Sequence, residues 1–330
     1  MRSKVIYTFP TAEVGMALVR EVADVKVLRN NYPPDRPILE DEIVQEIAET
    51  DALVRVRLVP ITRRIIEAGK NLKIIATHGI GYDGIDLEAA SKCKVWVTRA
   101  LEQGPYAVAE HTIGFMLALS RKLVLADTSV KNGTWKPPQF FGTELRNKTL
   151  GIIGLGNIGC ETARLAIAFC MRVIAYDPQI PPQKGKSMGV TLTDLRTVLT
   201  ESDYVSLHLP LSKETRGLLG EKELRLMKKT AFIVNCARGG IIDEKALHNV
   251  LTKREIAGAA LDVLDEEPPK DSPLLRLENV IFTPHVAGNT EEALERMAIG
   301  IAKNVIAVLR GGLPECESVV NKSVLPNRHL

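Results

Sequence analysis

The chain has 330 residues, 45% of them hydrophobic and 25% charged, and its 43 basic and 40 acidic side chains leave a net charge of +3. Length and composition of this kind are typical of a globular protein with two domains. Because the charges are mixed along the chain and no stretch approaches the ~20 apolar residues of a membrane span, the sequence argues against nucleic-acid and membrane partners.

The cysteines indicate the compartment. They are scattered along the chain without a CxxC pair: Cys93, Cys160, Cys170, Cys236 and Cys316. An odd, scattered set suits a reducing compartment and argues against a zinc site. The amino-terminal MRSKVIYTFP lacks the apolar run of a signal peptide. We therefore expect a cytoplasmic protein without a bound metal.

The first hundred residues alternate short apolar runs with helical patterns. Strands are predicted at VIYTF, VKVL, ALVRV, LKIIAT and VWVT, and helices over residues 11–22, 40–49, 62–69 and 86–92. This alternation is typical of a parallel α/β domain. The glycine-rich HGIGYDG follows one of these strands, where such sheets bind ligands, so His78 and Gly79 are predicted to contact the substrate. A simple turn is the alternative.

A single long helix is predicted over residues 106–125, where nearly every side chain is apolar. A helix that is apolar on all sides has to be buried. Glu110 and His111 interrupt it, and polar groups in such a place need partners.

Residues 149–177, TLGIIGLGNIGCETARLAIAFCMRVIAYD, form the most informative stretch of the chain. They predict a strand, a loop with the GxGxxG spacing of Gly154, Gly156 and Gly159, a helix, and a second strand ending in Asp177. The glycines allow a tight turn, close approach of a pyrophosphate and close packing of the helix, whose amino end favours an anion. A glycine turn without a ligand is the alternative. Asp177, placed to accept hydrogen bonds from an adenosine ribose, favours a dinucleotide.

Asp177 also predicts which dinucleotide binds. A carboxylate repels a 2′-phosphate, and Pro178 and Gln179 supply no cation to receive one. NAD is therefore expected rather than NADP.

Four further strands are predicted at YVSLHL, AFIVNC, GAALDV and VIFTP, with helices near residues 193–200, 221–229 and 243–254. Together with the two strands of the dinucleotide segment, they complete a six-stranded Rossmann sheet. A last amphipathic helix is predicted from Thr290 to Leu309.

Polar residues follow the last three strands. Arg238 lies in NCARGG, Glu267 in LDVLDEEPP and His285 in TPHVAG. An arginine can bind a carboxylate through two parallel hydrogen bonds, a histidine can exchange a proton with a hydroxyl group, and a carboxylate can orient the imidazole. Hydride transfer from an alcohol to a nicotinamide requires these groups. The alternatives are a surface arginine, a solvated loop acid and a core histidine.

The segments GLGNIG with Asp177, NCARGGIIDEKAL, GAALDVLDEEPP and TPHVAG, in this order, resemble the D-isomer-specific 2-hydroxyacid dehydrogenase family over nearly the whole chain. The resemblance implies that Arg238, Glu267 and His285 are catalytic, with Arg238 and His285 touching both NAD and the 2-hydroxy acid substrate. It also implies two α/β domains with parallel sheets, Rossmann-like and flavodoxin-like. The cofactor domain, residues 102–288, would be inserted into a substrate domain made of residues 1–101 and 289–330. Subunits would pair as homodimers through the cofactor domain.

The resemblance places a larger set of residues around the cofactor. Besides the three glycines of the loop and Asp177, they are Ile80, Asn157, Ile158, Leu209, Cys236, Ala237, Arg238, Asp262, His285 and Gly288. Ile80 is expected to reach the nicotinamide from the substrate domain.

Within the family, the phosphate-loop segment and NCARGGIIDEKAL are most similar to phosphoglycerate dehydrogenases, which implies 3-phosphoglycerate as the substrate and a part in serine biosynthesis. A phosphate needs a second cation, and Arg57 is predicted to supply it, with Arg55, Arg63 and Arg64 as neighbouring candidates. Thr77 stands where those enzymes often have arginine, which favours a glyoxylate or hydroxypyruvate reductase instead. A non-enzymatic NAD-sensing protein, similar to co-repressors that resemble this family, is the other alternative.

Overall fold

The computed structural model describes residues 2–31, 36–56, 59–79, 81–101 and 105–322. The chain divides into two compact units. Unit 1 consists of Met1–Gln103 and Thr290–Leu330, and unit 2 of Gly104–Asn289. Each is built on a parallel sheet flanked by helices, which confirms the predicted fold class.

Unit 1 has a five-stranded sheet with the flavodoxin-like order β2-β1-β3-β4-β5. The strands are β1 (Ser3–Tyr7), β2 (Ala23–Val27), β3 (Ala52–Arg55), β4 (Ile74–Thr77) and β5 (Trp96–Arg99). The helices are α1 (Glu13–Val22), α2 (Glu40–Ile47), α3 (Arg63–Ala68), α4 (Leu87–Lys92) and α12 (Glu291–Leu309). Strands β3 and β4 are buried along their whole length, because helices cover both faces of the sheet, so the side chains before the last residue of each strand are apolar without alternation.

Two contacts attach the carboxyl-terminal part of the chain to unit 1. Helix α12 packs closely on α1, where a Cβ at Gly15 would lie 2.4 Å from the carbonyl oxygen of Ala298, so glycine is required there. Beyond α12, the amide of Asn321 accepts a hydrogen bond from Val97 N at 3.1 Å and donates one to Val95 O at 3.0 Å. The end of the described chain is therefore fixed to the edge strand β5.

Unit 2 has a seven-stranded sheet with the order β12-β11-β10-β9-β6-β7-β8. The strands are β6 (Thr149–Ile153), β7 (Arg172–Tyr176), β8 (Thr191–Leu192), β9 (Tyr204–Leu207), β10 (Phe232–Asn235), β11 (Gly258–Leu261) and β12 (Val280–Phe282). The helices are α5 (Tyr106–Ser120), α6 (Leu123–Lys131), α7 (Asn157–Ala168), α8 (Pro182–Ser187), α9 (Leu195–Glu201), α10 (Glu221–Leu224) and α11 (Glu244–Thr252). The prediction of six strands was wrong by one, because the two residues of β8 are too few to give a pattern.

The single helix predicted over residues 106–125 is also wrong, because it is divided in two. Helix α5 ends at Ser120, and Lys122 takes a left-handed conformation with φ of 54° before α6 begins. Helix α5 packs on α7 and on strands β10 and β11, as its apolar character requires. Helix α6 has no buried residue at all, so the expectation of burial holds for α5 only.

Candidate active site

The described residues that were predicted to surround the cofactor all follow strands of unit 2. They are Gly154, Gly156, Asn157, Ile158 and Gly159 after β6, Asp177 after β7, Leu209 after β9, Cys236, Ala237 and Arg238 after β10, Asp262 after β11, and His285 and Gly288 after β12. Because these strands are parallel, their carboxyl ends meet at one edge of the sheet. Strands β6 and β9 are neighbours there, which marks the reversal of strand order where such sheets bind ligands. Two predicted contacts, Ile80 and Arg57, lie outside the described residues.

The loop between β6 and α7 fits a pyrophosphate. Gly154 has φ of 95°, and a Cβ there would lie 2.6 Å from the carbonyl oxygen of His208. A Cβ at Gly159 would lie 2.2 Å from Gly154 O, whereas one at Gly156 would meet nothing within 4 Å. The space above Gly156 is thus open, and the amino end of α7 has no side-chain cap. Unpaired N–H groups beside open space are what a phosphate needs.

Asp177 is held beside this loop. Its Oδ2 accepts a hydrogen bond from Leu155 N at 2.8 Å, and its Oδ1 accepts one from Gln179 N at 2.9 Å. Each carboxylate oxygen can accept a second hydrogen bond. The carboxylate is therefore oriented with acceptor capacity left for ribose hydroxyl groups.

Glu267 and His285 form a pair at the same edge. His285 Nδ1 lies 2.7 Å from Glu267 Oε2, and the other carboxylate oxygen accepts a hydrogen bond from Leu264 N at 3.2 Å. Both side chains are partly exposed, 37% for His285 and 27% for Glu267. Because an ionised carboxylate can only accept, Nδ1 carries the proton in this bond, and Nε2 is the ring nitrogen left for proton exchange.

Arg238 lies on a turn that Asn235 organises. The Asn235 side chain accepts a hydrogen bond from Ala237 N and donates one to Arg238 O, both at 2.9 Å. The next residue, Gly239, packs so closely on the Glu267 loop that a Cβ there would lie 2.1 Å from Leu264 O. The structure therefore brings the segments that carry Arg238, Glu267 and His285 together, as predicted from their strand positions.

The buried carboxylate of Asp262 fixes the loop that carries His285. Its Oδ1 accepts hydrogen bonds from Val286 N at 2.8 Å and from the Thr283 hydroxyl group, and its Oδ2 accepts one from Ala287 N at 2.9 Å. The backbone N–H of His285 also donates to Asp262 O at 2.8 Å. The family resemblance predicts Asp262 beside the cofactor, and the structure shows that it holds the loop of His285.

Glu244 and Cys236 show how burial changes titrating groups near the site. Glu244 Oε1 accepts a hydrogen bond from Asp265 N at 2.6 Å, which fixes the start of the Glu267 loop, and burial raises the pKa of its carboxyl group. Burial also raises the pKa of the Cys236 thiol to about 12, so Cys236 acts as a small apolar residue. Within the described ranges, no group of three or more His, Cys, Asp or Glu side chains is placed to hold a metal ion.

Sequence reasoning did not single out Asn235, Glu244 and Thr283. The Asn235 and Glu244 side chains hold backbone segments of the site, and the Thr283 hydroxyl group donates to Asp262. The available signal for Asn235 and Thr283 was their position at or just beyond the carboxyl ends of apolar strands, whereas Glu244 begins helix α11.

In unit 1, the corresponding sheet edge holds the residues predicted to bind substrate. Gly79 has φ of 124°, and a Cβ there would meet nothing within 4 Å, so the backbone after β4 borders open space. The backbone N–H of His78 donates to Arg55 O at 2.8 Å. The Thr77 hydroxyl group is buried and donates to Gly81 O at 2.9 Å.

Arg55 is not available as the second cation for a phosphate. Its side chain is buried, and it donates to Val59 O from Nε at 2.6 Å and to Asp83 O from Nη2 at 2.5 Å. Burial lowers the pKa of its guanidinium to about 10. Arg63 and Arg64 form ion pairs with acidic side chains, Arg63 Nε with Asp86 at 3.5 Å and Arg64 Nη1 with Asp41 at 2.6 Å.

By its fold and strand order, unit 2 is a dinucleotide-binding Rossmann unit. Residues 113–287 match the family model described as D-isomer specific 2-hydroxyacid dehydrogenase, NAD binding domain. The chain therefore belongs to the D-isomer-specific 2-hydroxyacid dehydrogenase family, and its cofactor is NAD. No helix in the described part of the chain has the length and apolar character needed to cross a membrane.

Similar proteins within the family carry the names of different enzymes. The chain is 43% identical to D-3-phosphoglycerate dehydrogenase of Methanocaldococcus jannaschii over 99% of its length, but it spans only 61% of that protein. It is 41% identical to glyoxylate reductase of Thermofilum pendens, over 100% of this chain and 97% of that one. A solved structure of D-lactate dehydrogenase from Aquifex aeolicus, with NAD and lactic acid, is 28% identical, with a TM-score of 0.84 over 97% of this chain and 99% of the other.

Proposed function

We propose that the protein is an NAD-dependent oxidoreductase that interconverts a small D-2-hydroxy acid and the corresponding 2-oxo acid. The observation that carries this proposal is the 2.7 Å contact between His285 Nδ1 and Glu267 Oε2, at the same sheet edge as the phosphate loop and Asp177. A bound nicotinamide supplies the hydride chemistry. The protein residues have to hold the acid, position it and exchange its proton.

Each catalytic residue has a separate task. Glu267 accepts a hydrogen bond from the Nδ1–H group of His285. This leaves Nε2 to take the hydroxyl proton during oxidation and to return it during reduction. The same carboxylate stabilises the imidazolium that forms. The Arg238 guanidinium binds the substrate carboxylate through two parallel hydrogen bonds. Unit 2 therefore carries the groups that would bind the cofactor and exchange the proton.

The decisive experiment is a panel of 2-oxo acids scanned with NADH and with NADPH. Turnover of at least one acid, faster with NADH, is expected. NADPH used as efficiently as NADH would reject the role given to Asp177. If NADH binds but no acid is turned over, the NAD-sensing alternative becomes the better description.

For the substrate, we propose 3-phosphoglycerate and its 2-oxo partner. The similarity to a phosphoglycerate dehydrogenase over 99% of this chain supports this choice. Glyoxylate or hydroxypyruvate is the second candidate. Arg55 donates to backbone carbonyl groups instead of facing a phosphate, and the alignment with a glyoxylate reductase, at 41% identity, covers 97% of the length of that protein.

Comparing kcat/KM for phosphohydroxypyruvate, hydroxypyruvate and glyoxylate separates the two candidates. A phosphate site that uses Arg57 predicts a preference for the phosphorylated acid, which shrinks in Arg57→Ala by about 1.5–3 kcal/mol for one charged hydrogen bond. Arg64→Ala is the matched control, since that side chain is paired with Asp41. Equal use of phosphorylated and unphosphorylated acids by the wild type would select the reductase.

We also propose that two copies pair through unit 2. Helix α6 has no buried residue, and large apolar side chains on and after it are exposed: Leu123 by 53%, Val124 by 48%, Val130 by 50%, Trp135 by 78% and Phe141 by 77%. Large apolar side chains exposed along one segment of the chain favour a protein interface. A charge placed there should prevent the pairing.

Sedimentation of wild type, Leu123→Asp and Leu39→Asp tests the dimer. Leu39 of unit 1 is also 53% exposed and serves as the matched control. We expect dimers for wild type and Leu39→Asp, and monomers for Leu123→Asp. A monomeric wild type would contradict the proposal.

A further inference from the structure

A chain of hydrogen bonds connects helix α5 to the loop of His285. His111 Nε2 lies 3.1 Å from the Thr283 hydroxyl oxygen, and that hydroxyl group lies 2.5 Å from Asp262 Oδ1. Asp262 then accepts the N–H groups of Val286 and Ala287. The three side chains come from α5, from the end of β12 and from the end of β11, all within unit 2.

The direction of each hydrogen bond follows from the number of protons available. Asp262 accepts backbone N–H groups on both oxygens, and its Oδ1 is also the acceptor in the contact with the Thr283 hydroxyl group. The single hydroxyl proton of Thr283 is therefore donated to Asp262. Towards His111 the Thr283 oxygen can only accept, which requires a proton on His111 Nε2.

We propose that His111 and Thr283 are positioning residues, which act through Asp262 to hold the backbone of His285 where it can exchange a proton with the substrate. His285 has φ of 54°, a left-handed conformation that costs free energy for a residue other than glycine and needs surrounding contacts to persist. The bonds to Asp262 supply those contacts on the residues that follow His285. Since the loop matters through His285, this proposal rests on the proposed function.

The surroundings of His111 are consistent with a neutral ring. Burial lowers its pKa, although the nearby Asp262 acts in the opposite direction. The ring also packs edge to face on Phe115, with centroids 4.5 Å apart. A neutral imidazole protonated on Nε2 is the donor that the hydrogen bonds require.

The first test uses the protein without NAD or substrate. Nitrogen-15 NMR of the imidazole groups should show His111 as the Nε2-protonated tautomer, and a ring protonated on Nδ1 alone would overturn the proposal. Amide hydrogen exchange at Val286 and Ala287 should be at least roughly tenfold faster in Thr283→Val than in the wild type, because Asp262 loses a donor that orients it. Thr283→Ser, which keeps the hydroxyl group, should restore slow exchange.

The second test uses kinetics with NADH and the best 2-oxo acid. His111→Phe and Thr283→Val should lower kcat by roughly 10- to 100-fold through misplacement of His285, while KM changes by less than about threefold. His111→Gln, whose amide can donate from a similar position, should recover most of the loss. Ser202→Ala is the control, since it removes a buried hydroxyl group bonded only to Val198 O in the described hydrogen bonds, at the amino edge of the same sheet.

The outcomes separate this proposal from the proposed function. Normal exchange and normal kcat in both Thr283→Val and His111→Phe would reject the positioning role and leave the enzyme assignment intact. A wild type that turns over no acid would reject the proposed function, while fast exchange in Thr283→Val would still support the hydrogen-bonded chain. If His111→Phe fails to fold, the Thr283 variants and the tautomer decide the question.

Discussion

Among the residues that the structure describes, each unit buries one charged side chain at the carboxyl edge of its sheet. In unit 2 it is Asp262, 2% exposed, and in unit 1 it is Arg55, 1% exposed. Asp262 accepts backbone N–H groups, whereas Arg55 donates to backbone carbonyl groups. A buried charge is tolerated only when hydrogen bonds replace its hydration, and here backbone groups of neighbouring loops provide them.

The two charges differ in what they hold. Asp262 fixes the loop that carries the partly exposed His285, whose partner Glu267 lies on the separate loop after β11, so the histidine is held on a segment that cannot easily move. Arg55 connects the segments around Val59 and Asp83 through Nε and Nη2, and its side chain is buried between them. A buried charge at a sheet edge is therefore better regarded as an organiser of loops than as a ligand for substrate.

The largest expected effect is the loss of proton exchange when His285 of unit 2 is replaced. His285→Ala should lower kcat by roughly 10²–10⁴, because positioned acid and base catalysis typically contributes that much. NADH binding, followed by its fluorescence, should change little, since the phosphate loop and Asp177 remain. His248→Ala, on α11, is the control and should behave as the wild type. A loss of less than tenfold in His285→Ala would show that another group exchanges the proton.

The next effect tests the role of Arg55 in unit 1. Arg55→Leu leaves the carbonyl groups of Val59 and Asp83 without their donor, which should cost about 1–3 kcal/mol for each. Denaturant unfolding measures the loss. NADH affinity should stay within about twofold, because unit 2 keeps its contacts. Unchanged stability together with a large rise in KM would instead make Arg55 a ligand for the substrate.

The positions of the site residues could be predicted from the sequence, but the tasks of the two buried charges could not. The glycine spacing and Asp177 predicted the phosphate loop, and strand order placed Arg238, Glu267 and His285 at one edge. The tasks of Asp262 and Arg55 could not be predicted, because their partners are backbone groups brought near only by the tertiary path of the loops. The end of α5 was missed for a local reason, since a left-handed residue such as Lys122 leaves no signal in an apolar pattern.

The ring of His208 is a third buried polar group, at the same edge of unit 2 as Asp262. It differs from Asp262 and Arg55 because it is neutral. His208 is partly exposed as a residue, but its ring Nδ1 is inaccessible to solvent and has no partner among the described residues. Its Nε2 lies 2.9 Å from Ser206 Oγ. Burial lowers the pKa of the ring to about 3. His208 thus stays neutral where Asp262 and Arg55 are charged.

This lowered pKa predicts how stability depends on pH. Between pH 6.5 and 3, the unfolded chain binds a proton at His208 that the folded protein does not, so the free energy of unfolding falls as the pH falls. The loss is about 1.4 kcal/mol for each pH unit well below 6.5. His208→Gln, compared with wild type in denaturant at pH 7 and pH 4.5, should remove this part of the acid sensitivity. An identical pH dependence in both proteins would show that the ring is hydrated and titrates normally.

The smallest expected effect concerns Glu267, the charge that unit 2 keeps partly exposed. Glu267→Gln preserves the size of the side chain but removes the anion beside the His285 imidazolium. The neutral amide can still accept the Nδ1 proton in a hydrogen bond, but it stabilises the imidazolium formed during oxidation less than a carboxylate does. Because solvent screens a pair that is 27% and 37% exposed, we expect only roughly a tenfold loss of kcat, measured with NAD and the 2-hydroxy acid.

Glu266→Gln provides the control for this last variant. Glu266 is the adjacent acid, and its Oε1 pairs with Lys270 at 3.0 Å rather than with the histidine. Removing its charge should leave kcat unchanged, since charges separated by solvent interact weakly. Equal losses in the two variants would mean that the rate responds to the general negative charge of the loop. A loss in Glu267→Gln alone requires a direct bond from the carboxylate to the ring, which is the difference between a surface acid and the partner of a proton-exchanging histidine.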